Sequence, residues 1–140
     1  MGVLTLGAVP VAVAISCRRY VCACGCVMLV VPRELSPWRR YTLVTIALAL
    51  AGIAACESAR ALRARLAPGS TFEEGWPSLR RWLRAIMEGR LFRWIRGVSE
   101  LAGRRLAERV SVVIAETSGL DVRSASFESR IVAGVMSSSS

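Results

Sequence analysis

Between Leu43 and Cys56 the chain runs for fourteen residues without a charge, with Arg39 and Arg40 before it and Arg60 and Arg63 after it. A bilayer crossing takes about 20 apolar residues, so a run of this length reads as a buried core helix. Its alanines and Gly52 weaken any affinity for lipid, and arginines on both sides lack the asymmetry of an oriented span. A helix that is apolar almost all round has to lie at the centre of whatever core the chain builds. The pattern places this first helix at about Arg40 to Ala54, with Gly52 as a turn or close-packing point.

The rest of the chain supplies partners for that helix. A second helix is expected from about Glu57 to Leu66: Ala59, Leu62 and Leu66 share one face, Arg60 and Arg63 point elsewhere, and Pro68-Gly69 ends it. Thr71 and Glu74 have the spacing of a capping box. Pro77 suits the first position of a third helix, where its missing N–H costs nothing. That helix, about Pro77 to Glu88, is the clearest element. Leu79, Trp82, Leu83 and Ile86 make an apolar stripe, which places Trp82 in the core, and Arg80, Arg81 and Arg84 make a basic face. A further amphipathic helix is expected from about Leu91 to Glu116, and the serine-rich end after Gly119 reads as a flexible tail.

These readings give a mainly α protein. Its expected organisation is an apolar leader (1–17), a Cys-rich β knuckle (18–36), a helix-turn-helix-like three-helix domain (37–95), a C-terminal helix (96–118) and a tail (119–140). The chain has 140 residues, enough for one modest domain.

Charge narrows the partners. The net charge is +9, and all nineteen basic residues are arginine, with no lysine and no histidine. A GC-rich coding sequence is the plain origin of such usage. Its physical consequence is a set of planar, always-charged groups suited to forked contacts with phosphate. A basic balance of this size favours nucleic acid or an anionic membrane surface. Without histidine there is no His-based acid–base catalysis, no Ser-His or Cys-His nucleophile pair and no His metal ligand. The ten carboxylates are scattered, and Asp121 is the single aspartate. The expectation is a protein that is not an enzyme.

Cys17, Cys22, Cys24 and Cys26 fall within ten residues. The stretch from Arg18 to Val31 reads as two short strands around a cysteine-rich turn, with the β-branched run from Val27 as a buried strand. Thiolates in a tight turn are typical zinc ligands, so these four are the candidate metal site and zinc the candidate cofactor. A structural zinc ribbon takes a two-cysteine knuckle from each of two hairpins, and one knuckle is visible. A degenerate knuckle and a metal shared between chains therefore stay open. Cys56 is remote and reads as part of the core.

Two short helices and a third with a basic face outline a helix-turn-helix unit, in which one helix enters the major groove of double-stranded DNA. Arg80, Arg81 and Arg84 are the candidate DNA contacts, through guanine edges or phosphates, with Arg39 and Arg40 beside them. An ordinary solvated basic face is the bland alternative.

The segments Arg19-Tyr20-Val21-Cys22-Ala23-Cys24-Gly25, Val30-Val31-Pro32-Arg33, Arg39-Arg40-Tyr41 and Trp76-Pro77-Ser78-Leu79-Arg80-Arg81-Trp82 resemble a bacterial arrangement. It is the N-terminal zinc-ribbon plus helix-turn-helix region of insertion-sequence transposases, over about Arg18 to Phe92. The resemblance implies DNA binding, with Cys22 and Cys24 as the second zinc knuckle and the Leu79 to Arg84 helix reading DNA. The upstream knuckle of that family is replaced here by the apolar leader, and no catalytic domain follows. The expected role is thus a cytoplasmic, non-catalytic accessory or remnant, with a homodimer as a further option. The alternative is a small inner-membrane-associated protein, held by the uncharged first 17 residues or by the Leu43–Cys56 helix.

Overall fold

The computed structural model describes residues 2–6, 9–13, 18–30, 41–67 and 76–138. Strands β1 (Gly2–Leu6) and β2 (Val9–Val13) form one antiparallel pair, and β3 (Arg18–Val21) and β4 (Val27–Val30) form another. Five helices follow: α1 (Leu43–Ala54), α2 (Ala59–Leu66), α3 (Pro77–Met87), α4 (Gly103–Glu116) and α5 (Phe127–Ser138). The protein is mainly helical.

Helix α1 is the hub. It contacts each of the other four helices, most extensively α4 and α5, and also touches β1. Ile46, Ala47, Leu48, Ala49 and Leu50 are all at most 1% exposed, as the absence of a polar stripe requires. Thr42 caps the start, its hydroxyl accepting from the Thr45 amide at 3.2 Å. Both threonine side chains are buried, and their hydroxyls satisfy one another at 3.0 Å. Gly52 lies where α2 crosses: a Cβ there would stand 2.2 Å from Leu62 Cδ2. Gly52 is therefore a close-packing point.

The same reversal ends α1 and α3. At α1, the Cys56 amide donates to Ile53 and the Glu57 amide to Gly52, while Cys56 takes φ +63°. At α3, the Gly89 amide donates to Ile86 and the Arg90 amide to Ala85, while Gly89 takes φ +64°. This is the Schellman arrangement, whose left-handed position favours glycine. In α1 a cysteine fills it, so Cys56 is exposed on a turn and is not a core residue. The end of α1 also gains a cation, because Arg104 Nε donates to the Ala54 carbonyl at 3.1 Å.

Several sequence expectations change in the second half. Residues 91–102 form turns, and the helix begins only at Gly103. Phe92 at φ +50° and Gly97 at φ +69° occupy left-handed backbone that a right-handed helix does not admit. Leu91, Phe92, Ile95 and Val98 are nonetheless buried, so this irregular stretch contributes to the core. The expected flexible tail contains α5, whose Ile131 and Val135 pack into the core against α1 and α4. Gly134 makes that packing possible by letting α5 meet the α4 backbone at Ile114. Arg65 ties α2 to both ends of this assembly, pairing with Glu57 at 2.8 Å and Glu128 at 2.9 Å.

The hairpin β3–β4 has the expected strands, but its described side chains are exposed. Val27, Met28 and Val30 are 53%, 64% and 48% exposed, because no element covers either face of this pair among the described residues. Among the described residues no helix is long and apolar enough to cross a membrane. The apolar leader contributes β1 and β2, which lie against α1 and α2 respectively.

Candidate nucleic-acid interface

The orientation of α3 is fixed by aromatic contacts at its start. Tyr41, just before α1, meets Trp76 and Trp82 edge-on, with ring centroids 5.6 and 5.1 Å away, and the two tryptophans meet at 5.1 Å. Edge-to-face pairs of this kind add about 0.5–1.5 kcal/mol beyond the area they bury. Trp76 Nε1 also donates to the Tyr41 hydroxyl at 3.4 Å. Trp82 is 2% exposed, a core residue as its place in the stripe requires. Trp76 and Tyr41 had no assigned role in the sequence reading. Their signal was present in hindsight, as aromatics sitting immediately before two helices.

With Leu79, Trp82, Ala85 and Ile86 turned inward, the opposite face of α3 presents Arg80, Arg81 and Arg84 to solvent. Pro77 occupies the first turn, as expected. The three arginines edge an open depression of about 610 Å³ that Ala59, Trp76 and Leu79 also line. Among the described residues none of the three is in an ion pair; the ion pairs found there join Arg65 to Glu57 and Glu128, and Arg90 to Glu88. Their charge is thus not internally neutralised by those residues. Arg93 and Arg96 in the following turns, and Arg104, Arg105 and Arg109 on α4, are exposed as well. The other two candidate contacts, Arg39 and Arg40, lie outside the described residues, as does the Thr71–Glu74 capping box.

The cysteine turn is a three-residue hairpin loop. The Cys22 amide donates to Cys26 at 2.8 Å and the Gly25 amide to Cys22 at 2.9 Å, with Gly25 at φ +81°. That conformation is the bulge position of such loops and explains the glycine. Cys22, Cys24 and Cys26 are all free and exposed. The Cys24 thiol is lowered from 9.0 to about 7, first by a hydrogen bond with the Cys22 side chain and then by bonds with the Cys26 backbone and side chain. Donors that favour a thiolate act in this direction.

A closed zinc site needs four ligands in a tetrahedron. Among the described residues no three cysteines or carboxylates come together as a metal-ligand group, and Cys17 lies outside them.

No family model, curated protein or solved structure matches this chain.

Proposed function

We propose that this protein binds double-stranded DNA through the outward face of α3, as a non-catalytic accessory or remnant of transposase type. The observation that carries the reading is the presentation of Arg80, Arg81 and Arg84 together on one exposed helical face, while the other face is locked by Trp82 and its aromatic neighbours. A helix held rigidly by its inner stripe can offer guanidinium groups to phosphates and guanine edges without reorganising. The net charge of +9 adds long-range attraction to a polyanion.

The helical packing refines how such a unit would be built. Helices α1, α2 and α3 are all present, but α1 packs most extensively on α4 and α5. The DNA-facing helix would stand at the edge of a five-helix assembly, in place of the self-contained three-helix core expected from the sequence.

The test is fluorescence anisotropy of the full-length chain with duplex DNA over a salt series. Phosphate contacts release counterions, so affinity should fall steeply as salt rises. Absence of binding at low salt would overturn the reading.

A further inference from the structure

We infer that the β3–β4 tip is a thiol–disulfide exchange site, in which Cys24 accepts a low-molecular-weight disulfide and Cys22 then displaces it. The inference does not rest on DNA binding and follows from how the turn arranges its sulfurs. Two backbone hydrogen bonds close the loop from Cys22 to Cys26, and Gly25 sets its curvature. Inside it, Cys22 Sγ is folded back across the turn, accepting from the Cys24 amide at 3.5 Å. Cys22, Cys24 and Cys26 thus share one five-residue turn. All three are exposed, so an exchanging partner meets no barrier. Cys56, on the turn after α1, is an exposed thiol remote in sequence from the tip and serves as an internal comparison.

The chemistry balances in two displacements. The Cys24 thiolate attacks one sulfur of the small disulfide, forming a Cys24 mixed disulfide and releasing one small thiolate, which takes up a proton. Cys22 then gives up its proton and attacks the Cys24 sulfur. A Cys22–Cys24 bond forms, and the second small thiol leaves. The two protein thiols are oxidised, and the small disulfide is reduced to two thiols. Excess small thiol reverses both steps. Cys26 stays free throughout.

The experiment treats the full-length, folded chain with oxidised glutathione, blocks remaining thiols with N-ethylmaleimide, digests with trypsin and weighs the peptide from Tyr20 to Arg33. The expected product has lost two hydrogens, carries a single maleimide and retains no glutathione, at a time when Cys56 is still blocked by maleimide. The Cys26→Ser chain should close in the same way, and the Cys24→Ser chain should not close. Thermal unfolding of each variant verifies that its helices are intact. A glutathione adduct that persists on Cys24, modification of Cys56 ahead of the tip, disulfide-linked dimers, or closure in Cys24→Ser would each overturn the inference.

Discussion

Gly134 of α5 lies against the backbone of α4 so closely that a Cβ on it would stand 1.8 Å from the Ile114 carbonyl oxygen. Two helices can approach this closely only where one lacks a side chain. The α4–α5 crossing therefore depends on a single missing methyl group. On an isolated helix, alanine would be preferred to glycine by about 1 kcal/mol. At this crossing the sign reverses, because the helices must separate. Gly134→Ala is expected to destabilise the protein by about 1–3 kcal/mol, the usual cost of overpacking. Urea unfolding followed by circular dichroism measures it, and an unchanged or raised midpoint would contradict the packing described.

Cys56 offers the opposite case. It holds φ +63° at the reversal after α1, where α3 uses Gly89 at φ +64° in the same hydrogen-bonding pattern. A side chain in left-handed backbone costs roughly 1–2 kcal/mol, partly offset by the greater freedom glycine gives the unfolded chain. Cys56→Gly should raise the stability by about 0.5–1 kcal/mol. A lower thermal midpoint in that variant would mean that the thiol makes a contact of value at this turn.

The two faces of α3 should separate stability from binding. Trp82→Ala opens a cavity in the core and is expected to cost about 3–5 kcal/mol. Replacing Arg80, Arg81 and Arg84 by alanine removes exposed charges and should leave the thermal midpoint nearly unchanged. The same triple replacement should flatten the salt dependence of DNA affinity by about 0.9 in log–log slope per lost phosphate contact, about 2.7 for three. A triple variant with the parental slope would move the DNA contact to other arginines.

The cysteine turn predicts a pH profile. The Cys24 thiol is held at about 7, below its ordinary 9.0, chiefly through Cys22. The thiolate is the reactive form, so alkylation of Cys24 by iodoacetamide should rise with pH and reach half its plateau near pH 7. Cys22→Ala removes the leading cause and should shift that midpoint upward. Peptide mass spectrometry at a series of pH values reads both, and an unmoved midpoint would assign the shift to Cys26 and the turn backbone.

Much of the helical architecture was legible in the sequence, for identifiable reasons. The run from Leu43 to Cys56 could satisfy itself only by burial, and α3 carried its start signal at Pro77 and its stripe through Ile86. Where the sequence misled, the deciding term lay in tertiary structure. Residues 91–102 repeat apolar side chains at helical spacing, but Phe92 and Gly97 turn the backbone left-handed. The serine-rich end looks like a tail because half of the groove that receives Ile131 and Val135 is made by α1, a helix distant in the chain. Valine and methionine in β4 suggested burial, which depends on a covering layer that the strand pattern does not encode. At the candidate site, the arginine face followed from periodicity. The aromatic lock formed by Tyr41, Trp76 and Trp82 did not, since it joins residues from two separate segments.

The central position of α1 also bears on the order in which the chain can mature during synthesis. Its two principal covers, α4 and α5, begin about 50 and 70 residues after it ends and leave the ribosome after it, since translation proceeds from the N-terminus. Throughout that interval the most apolar helix of the nascent protein has only its nearer neighbours to shield it. A ribosome that stopped before Phe127 would release a chain with one side of that helix still bare, a substrate for chaperones or proteases. Docking of α5 through Ile131 and Val135 covers that side.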